Sequence, residues 1–113
     1  MRVLALICTA LTLTLSASAH ASDTSPARVS AIASWTVGHM TFEHAGIRTT
    51  PPACHGATFP KAWVIDITTQ AGGVHAATLL TASALNKQVI VYGKGTCDVR
   101  GDLETVAIIE VAE

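Results

Sequence analysis

The chain has 113 residues, of which 50% are apolar, 4% aromatic and 13% charged, and its formal net charge is -1. This length allows a single domain. The low charge, with no cluster of Lys and Arg, argues against a nucleic-acid-binding protein, and the apolar content argues against intrinsic disorder.

The first residues have the pattern of a secretory signal peptide. Arg2 gives the start a positive charge, residues 3–15 form an uncharged apolar run, and Ala19-His20-Ala21 resembles a signal-peptidase site. The run is shorter than the roughly 20 residues that a transmembrane helix needs. A buried N-terminal helix is the alternative. We expect cleavage after Ala21, export to the periplasm or the medium, and a product that does not span a membrane.

Residues 22–27 predict a flexible leader, because Asp23 and Pro26 are typical of irregular termini. Residues 28–113 then form one domain. Alternating apolar and polar residues predict strands over residues 28–37, 39–45 and 62–68, with Trp63, Ile65 and Ile67 on one face of the third. The intervening residues 48–61 are rich in proline and predict a loop.

The period of the apolar pattern then changes from that of a strand to that of a helix. Ala76, Leu79, Leu80 and Ala84 lie on one helical stripe, and Asn86 can end the helix in the left-handed conformation. Residues 88–92 and 104–112 predict the last two strands. The order β-β-β-α-β-β indicates an α+β, mainly β domain, namely a small five-stranded OB-like barrel.

Two cysteines, Cys54 and Cys97, remain after Cys8 is removed with the predicted signal peptide. In an oxidising compartment this pair predicts a disulfide. The loop it closes, about 44 residues, corresponds to roughly 4 kcal/mol of stabilisation. A metal site is the alternative because His55 adjoins Cys54, but no C-x-x-C or H-x-x-x-H spacing is present.

Two aromatic residues are candidates for ligand binding. Phe59 lies in a loop between Thr58 and Pro60, and Trp35 is flanked by two hydroxyl residues in the first predicted strand. Trp63 shares a face with aliphatic residues, so we expect it in the core. The small number of aromatic residues weakens a lectin interpretation without excluding it.

The histidines predict neither a metal centre nor a cofactor site. Imidazole suits copper or zinc, but His39 and His44 are separated by an odd interval and point to opposite faces of a strand. We therefore expect solvated surface histidines. A catalytic relay from His75 and Asp66 would lack a G-x-S-x-G elbow, so we predict that the protein is not an enzyme.

The polar turn near the C-terminus admits two further interpretations. Arg100-Gly101-Asp102 spells a cell-adhesion tripeptide, but Gly-Asp predicts a turn first. Asp98, Asp102 and Glu104 are close in sequence but lack the spacing of a calcium-binding loop. We expect a solvated acidic turn.

The element order and the single disulfide resemble the binding (B) subunits of bacterial AB5 toxins, nearest the subtilase-cytotoxin and pertussis-like branch. The matching stretches are residues 28–42, Cys54, residues 76–82 and the run 86–97, which ends at Cys97. Residues 92–98 also resemble a recurrent ending of small uncharacterised exported bacterial proteins. No sugar-contacting residue of the toxin family matches position by position.

The resemblance implies a non-enzymatic subunit that binds a glycan or another exported protein and forms a homo-oligomer, a pentamer if toxin-like. Two alternatives remain open: a small periplasmic metal-handling protein, and a structural or inhibitory module for another exported protein. A pentamer in solution would favour the toxin-like interpretation, and a monomer would count against it.

Overall fold

The computed structural model describes residues 21–112 and contains five strands and one helix. In chain order these are β1 (Val29–Trp35), β2 (His39–His44), β3 (Ala62–Asp66), α1 (Gln70–Ala84), β4 (Gln88–Gly93) and β5 (Val106–Ala112). The predicted order and the mainly β class are confirmed. Apart from Ala21, the predicted signal peptide lies outside the described residues. Between residues 21 and 112, no helix is long and apolar enough to cross a membrane.

The strands form two antiparallel sheets, one with the order β1-β2-β3 and one of β4 and β5. Single bridges connect them: Ala27 pairs with Val89 at the edge of β4, and Val64 of β3 pairs with Thr105. Between residues 21 and 112 the strands therefore form two sheets joined by isolated bridges and not one continuous closed barrel.

The segment before β1, for which the sequence suggested a flexible leader, is hydrogen-bonded to β4. The N–H groups of Thr24 and Ala27 donate to the carbonyls of Val91 and Val89 at 3.0 and 3.1 Å. Ser22 is buried as well. The free edge of β4 supplies partners that the composition of a short polar segment does not reveal.

The third strand is buried on both faces. Trp63 and Ile65 point into the main core, as their shared face predicted, and both are almost fully buried. Val64 on the opposite face is also fully buried, because Leu103 packs against it in a second, smaller cluster. β3, although at the edge of its three-stranded sheet, is therefore buried between two clusters of apolar side chains.

The helix begins at Gln70, before the predicted stripe, because Thr69 caps its N-terminus. The Oγ1 atom of Thr69 accepts a hydrogen bond from the N–H of Gly72 at 3.0 Å. Glycine is required there, since a Cβ on Gly72 would lie 1.5 Å from the carbonyl oxygen of Asp66. Asn86, with φ of 57°, ends the helix in the left-handed conformation, as predicted.

The buried stripe of the helix differs in part from the predicted one. Ala76 and Leu79 are buried, as expected, and the stripe continues through Ala82. Leu80 and Ala84, which the pattern placed on the same face, are exposed instead. The earlier start lets the first turn pack closely at Gly72, which fixes the rotation of the helix on the sheet.

Candidate ligand-binding site

The two aromatic residues predicted as ligand contacts line one pocket. Trp35 at the end of β1 is 48% exposed, and Phe59 in the loop before β3 is 44% exposed. The pocket is open to solvent and has a volume of about 330 Å³. Its remaining walls come from β1, β2, the start of β3 and the turn before β5: Ala31, Ala33, Thr41, Phe42, Glu43, Ala62, Arg100 and Leu103.

Arg100 lies beside both aromatic rings. Its guanidinium carbon is 5.7 Å from the centre of the Trp35 ring and 5.9 Å from that of Phe59. These distances fall within the range of about 6 Å over which a cation is attracted to an aromatic face. The arginine therefore places a cation near both rings.

The tripeptide that contains Arg100 is the predicted turn. The N–H of Leu103 donates to the carbonyl of Arg100 at 3.1 Å, and Nε of Arg100 donates to Oδ1 of Asp102 at 2.8 Å. The charged groups of the tripeptide thus pair with each other. This pairing orients the guanidinium toward the pocket.

The pocket combines an apolar floor with polar groups at its rim. Nε1 of Trp35 donates to Oγ1 of Thr41 at 2.9 Å, which fixes the indole plane. The carboxylate of Glu43, which also lines the pocket, has no hydrogen-bonding or ionic partner among residues 21–112. A ligand would therefore find an acceptor at Glu43 and further N–H donors at Arg100.

One wall of the pocket contains a strained residue. Ala31 has a φ of 50° where β1 shifts register between Ser30 and Ala33. A non-glycine residue in the left-handed region is uncommon and is held there by its surroundings, often at binding sites. The bulge at Ala31 therefore forms part of the pocket wall.

A buried ion pair holds the loop that carries Phe59. Nη2 of Arg48 lies 2.8 Å from Oε1 of Glu104, and the guanidinium carbon lies 3.8 Å from the centre of the Trp63 ring. Nη1 of Arg48 donates to the carbonyls of Pro60 and Ala62, each at 3.1 Å. Since Pro60 follows Phe59 directly, the arginine ties that loop to the core.

Glu104 is the residue for which the expectation of a solvated acidic turn is wrong. It is fully buried, because Arg48 balances its charge and the N–H of Gly95 donates to Oε2 at 3.0 Å. The sequence carries one signal for this role. Glu104 lies between Leu103 and the apolar last strand, where a solvated acid is out of place.

His55 connects the same glutamate to the Phe59 loop. Its Nδ1 accepts a hydrogen bond from the backbone N–H of Glu104 at 3.0 Å, and its Nε2 lies 3.0 Å from the carbonyl of Phe59. These partners assign the proton to Nε2 of a neutral ring. Burial, and then the charge of Arg48, lower the pKa of His55 below its ordinary value. His55 therefore bridges two loops and presents no free ring nitrogen.

His44 is also buried, so the expectation of solvated histidines is wrong for this residue. Its Nε2 lies 2.8 Å from the carbonyl of Val89, and its Nδ1 accepts a hydrogen bond from the N–H of Gly46 at 3.1 Å. Burial lowers its pKa. His39 instead lies beside Trp35, with ring centres 6.1 Å apart. Across the described part of the chain, no three His, Cys, Asp or Glu side chains are placed to hold a metal ion.

The predicted disulfide between Cys54 and Cys97 is present, with Cα atoms 6.0 Å apart. It joins the loop that carries Phe59 to the loop that leads to Arg100. The N–H of Gly56 donates to the carbonyl of Asp102 at 2.8 Å and links the same two loops again. Two walls of the pocket are thus fixed to each other covalently.

A second cavity, of about 290 Å³, brings together Asp66 and His75, the residues considered for catalysis, beside Lys94 and Asp98. The carboxylate of Asp66 accepts hydrogen bonds from its own turn, from Thr68. In residues 21–112 the His75 side chain has no hydrogen-bonding partner. Among residues 21–112, Asp66 is therefore hydrogen-bonded to Thr68 and not to His75.

Comparisons with protein-family models, with curated proteins and with solved structures find no match for this chain. Function is therefore inferred from the pocket and from the resemblance described above.

Proposed function

We propose that the protein is an exported, non-enzymatic binding domain that takes a sugar ring in the pocket between Trp35 and Phe59. The observation that carries this proposal is the convergence of two half-exposed aromatic rings and the Arg100 guanidinium on one open pocket. Isolated exposed aromatic residues are ordinary on protein surfaces, whereas a convergent set with polar groups is typical of a ligand site.

The chemistry of a sugar suits the groups present. The C–H face of a pyranose ring is apolar and can stack on an aromatic face, while its hydroxyl groups need both donors and acceptors. Arg100 supplies donors, and the carboxylate of Glu43 supplies acceptors. The volume of about 330 Å³ lies at the small end of ligand pockets, which span about 300–1,000 Å³.

The resemblance to AB5 toxin B subunits supports the same function. It implies glycan binding without catalysis, an OB-like arrangement of the strands and assembly into a ring of identical subunits. The proposal includes export through the predicted signal peptide, and the Cys54–Cys97 disulfide accords with an oxidising compartment. Assembly into a homo-oligomer is tested by the mass of the exported protein in solution.

A glycan array tests the proposal directly. The full-length chain is expressed with its predicted signal peptide. The exported, oxidised product is then applied to the array at micromolar concentration. We expect a small group of related glycans to bind. A blank array at this concentration rejects the sugar, and binding that persists after reduction and unfolding rejects a folded site.

A further inference from the structure

Ser22 is held against Glu104 by both its backbone and its side chain. Its backbone nitrogen lies 3.1 Å from Oε2 of the glutamate, and its hydroxyl donates to Oε1. Ser22 is 1% exposed, whereas Ala21 is exposed. The chain therefore passes from solvent into the buried site within a single residue.

The two oxygens of the Glu104 carboxylate have different partners. Oε1 faces the Arg48 guanidinium at 2.8 Å, whereas the partners of Oε2 among residues 21–112 are two backbone N–H groups, those of Ser22 and Gly95. The carboxylate also packs directly on the backbone, since a Cβ on Gly93 would lie 1.9 Å from Oε2. Oε2 is thus a fixed, buried acceptor that no cationic side chain of the described residues contacts.

We propose that hydrolysis of the Ala21–Ser22 peptide bond makes Ser22 a charged N-terminus, and that its ammonium group forms an ion pair with Oε2 of Glu104. A processing peptidase adds water across the bond. The acyl carbon of Ala21 takes the hydroxyl of the water and leaves with the signal peptide as a carboxylate. The Ser22 nitrogen gains the hydrogen and takes up one further proton. No co-reactant other than water is needed.

This step changes a neutral donor into a charged one without moving the nitrogen. The amide N–H of Ser22 already points at Oε2 across 3.1 Å and donates to an ionised acceptor. An ammonium group at the same position carries a positive charge of its own, so a Coulombic attraction to the carboxylate is added to the hydrogen bond.

The burial of Ser22 also sets an order of events. In the folded domain the bond before Ser22 enters a site that is almost closed to solvent, so a peptidase must cut before this segment docks on β4. Processing during export, ahead of folding, satisfies this requirement. The inference rests on the proposed export but not on the sugar pocket, so the pocket and the ion pair can each fail alone.

The first experiment identifies the terminus and measures its protection. Intact mass of the exported product is expected to show Ser22 as the first residue. Periodate, which cleaves an N-terminal serine through its adjacent amine and hydroxyl, then probes that group. The matched control carries one serine inserted between Ala21 and Ser22, which leaves a reactive serine outside the site. We expect oxidation of the native terminus to be at least about tenfold slower, a factor worth about 1.4 kcal/mol, and equal rates after unfolding in urea.

The second experiment measures the ion pair itself. The insertion variant keeps the Ser22 amide but loses its charge, and we expect its melting temperature to be lower by about 4–8 °C. The change Glu104→Gln is expected to remove this difference. If Glu104→Gln does not fold, the proposal is tested by the periodate oxidation rates of the native terminus and of the insertion variant. A mature terminus other than Ser22, equal oxidation rates in the two folded forms, or equal melting temperatures overturns the proposal.

Discussion

The guanidinium of Arg48 lies 2.8 Å from the carboxylate of Glu104, although the two residues are 56 positions apart in the chain. Their side chains are 9% and 0% exposed. The same guanidinium stacks on Trp63 and donates to the carbonyl of Pro60. One buried ion pair thus links the core to the loop that forms a wall of the candidate sugar site.

Replacing Arg48 with methionine should destabilise the protein strongly. The change Arg48→Met leaves the buried Glu104 carboxylate without its cation, and such a change costs about 3–5 kcal/mol. Urea unfolding of the oxidised protein measures this cost. The matched control is Lys94→Met, because Lys94 pairs with Asp98 on the exposed surface at 3.4 Å; it should cost less than about 1 kcal/mol. Equal costs for the two variants would contradict the role of the buried pair.

Stability should fall as the pH drops below 6.5. Burial lowers the pKa of both His44 and His55 from 6.5, so below this pH the unfolded chain binds more protons than the folded protein. The contribution of the two neutral rings to the free energy of unfolding is fully present above pH 6.5 and is lost as the pH falls through the folded pKa values. Urea unfolding at successive pH values measures the slope, which His44→Gln should reduce. Stability that rises toward lower pH in this window contradicts the burial of neutral rings.

A separate loss should begin in more acidic solution. Hydrogen bonds from the hydroxyls of Thr105 and Thr96 lower the pKa of Asp98 from 3.8 to about 2, with the Thr105 bond the largest cause. A carboxyl with a lowered pKa contributes stability above pH 3.8, and this is lost as the pH falls toward 2. Thermal unfolding between pH 4 and 2 should show this loss in the native protein and a smaller one in Thr105→Val.

Loss of the disulfide should lower both the stability of the protein and its affinity for a ligand in the pocket. Removing the bond between Cys54 and Cys97 releases a constraint worth roughly 4 kcal/mol in the unfolded chain. The double variant Cys54→Ser, Cys97→Ser is expected to show this loss in urea unfolding. Because the bond joins the loops of Phe59 and Arg100, ligand affinity should also fall. A double variant with unchanged stability would contradict the account.

The sequence predicts those parts of the fold that depend on local pattern. Alternation and helical period place all six elements in order, and the cysteine pair follows from composition and compartment. The start of the helix at Gln70 does not follow from the apolar stripe, because its cap, Thr69, and the close contact at Gly72 depend on the turn after β3. Pairing of residues 22–27 with β4 depends on an edge that only the folded sheet creates.

In the candidate site, too, some features follow from the local sequence and others depend on long-range contacts. Exposure of Phe59 follows from its loop, but its position beside Trp35 depends on the packing of β1 against β2 and on the loop before β3. Arg48, His55 and Glu104 were missed as a group, because a buried polar network is defined by long-range contacts. Local pattern instead suggested a solvated surface for the histidine and for the acid.

Calorimetric titration of the best glycan from the array tests the central claim most directly. The exported protein is compared with Trp35→Ala and Phe59→Ala, and with Ile47→Ala, which removes an 83% exposed side chain outside the pocket. Urea unfolding of each variant verifies that it folds. We predict that each pocket variant weakens the Kd at least about tenfold while Ile47→Ala leaves it unchanged. Wild-type affinity in both folded pocket variants would contradict the assignment of the sugar to this site.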